Sequence, residues 1–174
     1  MNMSRIEAVP TVLDVEASGF GAGSYPIEVG FVTPDGQPHC SLIRPESDWT
    51  AWDPRAEAVH QVSRATLLEH GKQAEQVAHW LNGLLHGQTV YSDSWGHDYA
   101  WLALLFDVAG SRPAFRLESV RALLGDAELR LWHSTRDRVQ VRMQLARHRA
   151  SNDARVLQQT WLQVRRACAA GGLQ

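Results

Sequence analysis

The sequence predicts an α/β domain built around a mixed β-sheet. Three strand-like segments follow one another within residues 11–44, and helical and strand-like segments alternate after them. Consecutive strands favour an antiparallel meander, whereas the alternation favours parallel strands joined by helices. The 174 residues suit one domain with a sizeable core. We therefore expect a single domain over residues 1–174, with tails at 1–10 and 170–174 that fray.

Apolar runs and one turn define the first three strands. Residues 11–16 form an apolar segment, and residues 25–32 form a second, partly alternating one. The turn signal Pro-Asp-Gly at 34–36 and the run at 39–44 then predict a hairpin. Residues 45–62 are rich in Pro, Trp and Asp, so we expect a loop there.

Helical spacing of apolar residues predicts most of the remaining elements. In chain order they are a short helix at 63–70, an amphipathic helix at 73–85, a short buried strand at 88–91, a helix at 98–108, a strand running into a short helix at 115–120, and a broken helix at 126–147. A last helix is expected to begin with Ser151 as its N-cap. Its apolar face comprises Val156, Leu157, Trp161, Val164 and Cys168.

Charge and cysteine content narrow the function classes. The net charge is -2, which excludes a protein that holds long nucleic acid by charge alone. Lys72 is the single lysine, and the arginine excess fits either phosphate binding or a GC-rich genome. Cys40 and Cys168 frame neither a zinc site nor a disulfide scaffold. Residues 1–10 lack a signal-peptide core, and no apolar run is long enough to span a membrane, so we expect a cytoplasmic protein without a membrane partner.

Two acids interrupt the first strand, in the segment LDVEASGF. Asp14 and Glu16 are two residues apart, so both side chains point to the same face of the strand. Two neighbouring carboxylates repel each other unless a proton or a cation lies between them, and Mg²⁺ or Mn²⁺ favours such oxygen ligands. The alternative is that the strand ends here with its acids in solvent.

Candidate partners for these acids lie far along the chain. Asp98 precedes the apolar stripe of the middle helix, where it either complements the helix dipole or faces a site, and Asp93 competes with it for that role. His148 lies five residues before Asp153, at the start of the last helix. A neutral imidazole suits proton abstraction from water, although an ordinary loop histidine is also consistent with the pattern.

The order and spacing of these acids and the histidine resemble those of the DEDDh 3′–5′ exonuclease superfamily. Its members include the proofreading epsilon subunit of DNA polymerase III, ribonuclease T and oligoribonuclease. LDVEASGF is similar to the family's first motif, HRASNDA is similar to H-x-A-x-x-D-A, and YPIEVGFV matches the strand after the first motif. The resemblance covers residues 11–165. The chain departs from the pattern at Ser94 and His97, where many relatives have Asn and an aromatic residue, and at 126–147, which matches nothing in the family.

The resemblance implies a ribonuclease-H-like fold, with a mixed five-stranded sheet and helices on both faces. It further implies that two Mg²⁺ or Mn²⁺ ions are bound by Asp14, Glu16, Asp98 and Asp153. His148 is the implied general base. The implied reaction is hydrolysis at a nucleic-acid 3′ end, DNA or RNA, with release of nucleoside 5′-monophosphates. Relatives act as homodimers or within larger nucleic-acid-processing complexes.

Other residues are implied to contact the terminal nucleotide. Four follow the first acids: Ala17, Ser18, Gly19 and Phe20. The small side chains would let a sugar approach the backbone, and Phe20 either stacks on a base or plugs the core. His60 either lies near the nucleotide or is a surface histidine. We expect core positions for Trp95, Trp101 and Trp161.

Two other functions fit the sequence. A non-catalytic module that binds nucleic acid or a nucleotide would keep the fold but is expected to have lost at least one of the five candidate residues. An unrelated protein would place Asp14 and Asp153 far apart. The substrate type, the biological role and the oligomeric state are not determined by the sequence.

Overall fold

A five-stranded mixed sheet forms the centre of the computed structural model, which describes residues 8–171. The strands are β1 (Thr11–Ala17), β2 (Pro26–Val32), β3 (Pro38–Leu42), β4 (Thr89–Ser92) and β5 (Arg116–Ser119). Their order across the sheet is β3-β2-β1-β4-β5. The first three strands are antiparallel, and β4 pairs in parallel with both β1 and β5. The predicted α/β class and its antiparallel and parallel halves are confirmed.

Helices cover both faces of this sheet. They are α1 (Pro54–His60), α2 (Arg64–His70), α3 (Ala74–Leu85), α4 (Trp95–Val108), a 3₁₀ turn (Val120–Leu123), α5 (Asp126–Met143) and α6 (Ala150–Gly171). Leu13 and Val15 of β1 enter a core cluster with α3 and α4. Val12 enters a second cluster with α5 and α6. Since alternate residues of a strand face opposite sides, Asp14 and Glu16 share the α6 face with Val12.

Several element boundaries differ from the prediction. The expected loop at 45–62 contains α1, because Asp53 caps it by accepting a hydrogen bond from the Arg55 amide and Pro54 occupies its first turn. The expected broken helix is one unbroken helix of 18 residues, α5. Its buried residues follow helical spacing, but many arginines between them hide that pattern.

The two helices that carry candidate acids also start earlier than predicted. α4 begins at Trp95, which places Asp98 inside its first turn. α6 begins at Ala150, so Ser151 lies within the helix and is not its N-cap. The predicted apolar face of α6 is confirmed for Val156, Leu157, Trp161 and Val164, which are all buried.

Both chain ends expected to fray lie partly outside the described residues, at 1–7 and 172–174. Within the described part, Val9 packs against the second core cluster. The Pro10 carbonyl accepts a hydrogen bond from Gln158 Nε2 at 2.9 Å. Across residues 8–171, no helix combines the length and the apolar character needed to cross a membrane.

Candidate active site and metal centre

Asp14 lies in the middle and Glu16 near the carboxyl end of β1, the central strand of the sheet. They project from the face covered by α6, and a register irregularity follows directly after Glu16. Asp14 stands opposite Gly30 of β2, and Glu16 stands opposite Glu28. Asp14 therefore has no side chain opposite it on β2, whereas Glu16 has a second acidic side chain opposite it.

Gly30 allows the start of α6 to lie directly on the sheet. A Cβ atom at this position would be 2.2 Å from the Ser151 amide nitrogen and 2.6 Å from the Ala150 carbonyl carbon. Because both atoms belong to the backbone, a side chain of any size would displace the helix. The missing side chain thus brings the first turn of α6, with Asp153, beside Asp14.

A turn before α6 sets the positions of His148 and Asp153. His148 has a φ of 57°, a left-handed conformation that costs energy for a residue with a Cβ. Its backbone N–H donates to Asp153 Oδ2 at 2.9 Å, which stabilises the turn. This bond fixes the carboxylate relative to the backbone that carries the imidazole.

An ion pair attaches the same turn to β2. The Glu28 side chain is 1% exposed and accepts from Arg149 Nε at 3.1 Å, from Arg149 Nη2 at 2.8 Å and from the Ala150 amide at 3.1 Å. This arrangement satisfies a buried carboxylate with a charged partner and a backbone donor. Glu28 was not among the predicted site residues, although an acid inside the apolar run of β2 is visible in the sequence.

Asp98 approaches the site from the first turn of α4. It is 1% exposed, and its Oδ2 accepts from Ser92 Oγ at 2.6 Å. Its Oδ1 is buried and accepts no hydrogen bond from the residues that the structure describes. Complementing the helix dipole requires no burial, so this orphaned oxygen favours a site role for Asp98. The competing Asp93 is paired with Arg136 at 2.7 Å.

One cavity of about 560 Å³ brings the predicted set together. The residues that line it include Asp14, Glu16, Asp98, His148 and Asp153. They come from β1, α4, the turn before α6 and α6 itself. The arrangement with Asp14 and Asp153 far apart, expected of an unrelated protein, is thereby excluded.

Burial and mutual repulsion change the acidity of these carboxylates. Burial, followed by repulsion from Asp98 and Glu16, raises the pKa of Asp14 well above its usual value. Burial, followed by repulsion from Asp153, raises the pKa of Glu16 to about 8. Burial raises the pKa of Asp98 to about 7, and it also raises that of Asp153, against the hydrogen bond from the His148 amide. The cavity thus disfavours four negative charges without a compensating cation.

These residues fit a hard divalent cation. Ligand atoms of Glu16, His148 and Asp153 lie within 4.8 Å of one another. Asp14 and Asp98 line the same cavity but lie outside this group. The orphaned Asp98 oxygen and the raised pKa values both correspond to oxygen donors that lack a positive partner.

The residues after Glu16 occupy different environments. Ala17 and Ser18 are buried, and Ser18 Oγ accepts from the Tyr25 amide at 3.1 Å. A Cβ on Gly19 would be 3.2 Å from Asp53 Cβ, so its size is needed for packing against the start of α1. Phe20 is 67% exposed and lines the cavity. This exposure contradicts the alternative in which Phe20 plugs the core.

His60 is buried and does not line the main cavity. Its Nδ1 accepts from the Val62 amide at 3.1 Å, its Nε2 has no partner, and its ring lies edge-on to Trp52. Burial lowers its pKa, as expected for a cation deprived of water. The surface alternative for His60 is therefore wrong.

Of the three tryptophans expected in the core, only Trp161 is fully buried. Trp95 is 43% exposed and donates from Nε1 to the Leu117 carbonyl. Trp101 lines the cavity and stacks on His97, with ring centroids 5.6 Å apart. A four-residue spacing on α4 places these two rings on the same side of the helix.

Helix α5 contributes residues that sequence reasoning did not identify. Arg136, Gln140 and Val141 line the cavity, and Arg147 follows from the next turn. The only sequence signal was the arginine-rich composition of 126–147, which does not indicate which arginines face inward.

Comparison with known proteins places the fold. No protein-family model matches the chain, and no curated protein matches it. Two similar solved structures are E. coli exonuclease I with a 5cy-dA13 oligonucleotide (TM-score 0.62, 11% identity, 87% of this chain and 40% of that one) and the zinc-bound E. coli exonuclease I–ssDNA complex (0.63, 14%, 89% and 40%). A third is the moderately thermophilic exonuclease I from Methylocaldum szegediense (0.53, 14%, 73% and 30%).

The chain therefore spans well under half the length of these structures. At 11% to 14% identity, the likeness concerns the fold alone, and it confirms the fold that the motifs led us to expect. The chain has the mixed α/β, ribonuclease-H-like fold that it shares with these exonuclease I structures.

Proposed function

We propose that the chain is a metal-dependent 3′–5′ exonuclease that releases nucleoside 5′-monophosphates from the 3′ end of DNA or RNA. The observation that carries this proposal is the convergence of Asp14, Glu16, Asp98, Asp153 and His148 on one cavity. The solved structures with the same fold include exonuclease I in complex with oligonucleotides, which supports a nucleic-acid substrate.

The carboxylates are the proposed ligands of two Mg²⁺ or Mn²⁺ ions. Their burial and repulsion raise the pKa values of Asp14 and Glu16, so a cation would stabilise the ionised forms. When bound, such ions supply Lewis-acid neutralisation of the negative charge on the phosphodiester. Ser92 binds one oxygen of Asp98, and the other is buried without a hydrogen bond from the described residues.

His148 is the proposed general base. Its side chain lines the cavity, and one of its ring nitrogens lies within 4.8 Å of oxygens of Glu16 and Asp153. The bond from its own amide to Asp153 Oδ2 keeps the imidazole beside the carboxylates. From that position the ring can take a proton from the attacking water as the phosphodiester is cleaved.

The cavity dimensions fit one terminal nucleotide. A volume of about 560 Å³ lies within the usual range of small-ligand pockets, about 300–1,000 Å³. Phe20 at its rim presents an exposed aromatic face on which any base can stack. A stacking contact of this kind does not depend on sequence, which suits stepwise removal of nucleotides.

The direct test is hydrolysis of labelled DNA and RNA oligonucleotides with Mn²⁺ or Mg²⁺. A 5′-labelled strand should shorten one nucleotide at a time, and the released product should be a nucleoside 5′-monophosphate. Chelation by EDTA should stop the reaction. No product from either nucleic acid with either metal would contradict the proposal, and binding without turnover would favour a non-catalytic module.

Two variants test the assigned roles. His148→Ala should reduce kcat by at least about 100-fold, the usual contribution of a positioned acid–base group. Asp14→Asn removes a charge from the proposed metal site and should reduce kcat as well, and in both variants the fold should stay intact by circular dichroism. The controls Asp107→Asn and His133→Ala remove exposed side chains outside the cavity and should keep activity. If His148→Ala loses metal affinity in calorimetry as well as activity, His148 is a metal ligand and not the base.

A further inference from the structure

We propose that Arg136 of α5 is a substrate-binding residue that contacts a phosphate, and that Asp93 holds it by an exchangeable ion pair at the wall of the cavity. This inference rests on the proposed function and adds to it a role for the segment 126–147. Neither residue belongs to the set of acids and histidine described above.

The placement of Arg136 depends on how α5 packs. Trp132, Thr135 and Val139 are buried and fix the face of α5 that contacts α6. Arg136 and Gln140, four residues apart, project beside that face and line the cavity. The guanidinium is therefore carried by a packed helix and does not depend on a loop for its position.

Arg136 retains unused hydrogen-bond donors. Among the described residues its single ion pair joins Nη1 to Asp93 Oδ2 at 2.7 Å. A guanidinium has five N–H groups in a planar fork that matches two oxygens of a phosphate. A one-point contact with a carboxylate leaves most of this capacity available, so a phosphate can replace Asp93 with a gain in contacts.

The ion pair itself contributes little to stability. The side chains of Arg136 and Asp93 are 39% and 16% exposed, so water reaches the arginine side of the pair and compensates part of what its separation would lose. The pair is thus easily exchanged.

The charge of the cavity favours such a residue. Six acids line it: Asp14, Glu16, Asp93, Asp98, Asp137 and Asp153. Among the described lining residues, the arginines are Arg136 and Arg147. A phosphodiester that enters is repelled by every carboxylate without a compensating charge, and an arginine that turns from Asp93 to the phosphate places its positive charge directly beside it.

The test is equilibrium binding of fluorescein-labelled single-stranded DNA and RNA oligonucleotides, followed by anisotropy in Ca²⁺ at several salt concentrations. Gel analysis after each titration shows whether the probe is intact. Arg136→Ala should weaken binding at least tenfold, because hydrogen bonds to charged groups contribute about 1.5–3 kcal/mol. It should also reduce the slope of log K against log[salt] by about 0.7, the value for one phosphate contact on a single strand.

A matched control comes from the same helix. Arg142 is exposed on α5 and lies outside the cavity, so Arg142→Ala should leave affinity and salt slope unchanged. Arg136→Lys keeps the charge but loses the planar fork, and it should restore the salt slope but only part of the affinity. If Arg136→Ala fails to fold, the Lys variant still decides the question, since unchanged affinity would overturn the proposal.

The Asp93→Asn variant shows whether the ion pair between Arg136 and Asp93 is exchangeable or structural. Release of Arg136 should raise affinity, and this gain should vanish in the Arg136→Ala background, as a double-mutant cycle reveals. An equal gain in both backgrounds would show through-space repulsion only and overturn the role of Asp93. If the unaltered protein binds no oligonucleotide, this proposal and the proposed function both fail. If the Arg136→Ala variant binds and hydrolyses the oligonucleotides as the unaltered protein does, only this proposal fails.

Discussion

Phe20 is an exposed aromatic residue that lines the cavity of the candidate active site. An apolar residue after a first strand is consistent with a core plug, yet two thirds of its surface is exposed and it borders three cavities. A phenylalanine that is exposed among glycines and other small residues gains little hydrophobic stabilisation in the free protein. A ligand that covers the ring would provide the missing burial.

We expect Phe20→Ala to affect substrate binding and not stability. Loss of one base-stacking contact should weaken binding by about 1–3 kcal/mol, seen as a higher KM for oligonucleotide hydrolysis. Thermal unfolding should change little, because exposed substitutions usually fall within about 0.5 kcal/mol. Phe20→Trp, which keeps an aromatic face, is the control. A large fall in Tm without a change in KM would instead indicate that Phe20 stabilises the core.

The acid cluster makes stability depend on pH when no divalent cation is present. In the folded protein the pKa of Glu16 is about 8 against an ordinary 4.5, and that of Asp98 is about 7 against 3.8. Between these limits the folded state holds protons that the unfolded chain releases. Raising the pH therefore favours the unfolded state.

We expect the Tm in EDTA to fall as the pH rises from about 5 to about 8, the window set by the pKa of Glu16. Mn²⁺ or Mg²⁺ should raise the Tm most at the upper end, where binding displaces the fewest protons. Glu16→Gln should reduce the slope in EDTA. A Tm that is constant or rises across this window would contradict the assigned pKa shifts.

At the level of elements, the contact between α6 and β2 determines the geometry of the site. Glu28 binds Arg149 and the Ala150 amide, and Gly30 receives the backbone of Ser151. The first contact attaches the helix end, and the second sets its distance from the sheet. Asp153 is one turn further along, so its position relative to Asp14 follows from both.

We expect Gly30→Ala to destabilise the protein by about 3 kcal/mol, the upper end of the usual overpacking range, because the clashing atoms of Ser151 and Ala150 are backbone. Activity should fall further than stability explains, since Asp153 moves with the helix. The control is Gly83→Ala on α3, where a Cβ meets nothing within 4 Å. It should be neutral or stabilising by up to about 1 kcal/mol. Normal activity and Tm in Gly30→Ala would contradict this geometry.

At the level of the whole molecule, periodic segments were predictable and capped or arginine-rich ones were not. The strands β1 and β2 and the helix α3 lie within one residue of their predicted bounds, because long apolar patterns fix the element type. Helix α1 was missed since its signal is the Asp53-Pro54 start and not an apolar stripe. Helix α5 was judged broken because polar residues cover all but one narrow face.

The residues of the candidate site also divide into those that a local pattern predicted and those that it did not. Asp14, Glu16, Asp98, His148 and Asp153 were named from motif order, and the structure brings them to one cavity. Residues that act through tertiary contacts were not named. Glu28 and Gly30 have meaning only once α6 lies on β2, and Arg136 only once α5 packs on α6. No local pattern in a single sequence carries that information.

The packing of α6 against Gly30 also affects the order in which the parts of the molecule fold. Glu28 and Arg149 are separated by 121 residues, so closing this contact requires one of the longest loops in the chain. The acids of β1 can reach their strand early, together with β2 and β3, but they meet Asp153 only when the last helix docks. A chain caught before that step carries two of its acids without their partners. The proposed nuclease chemistry would thus be confined to the completely folded molecule, and a partly folded chain would leave the nucleic acid around it intact.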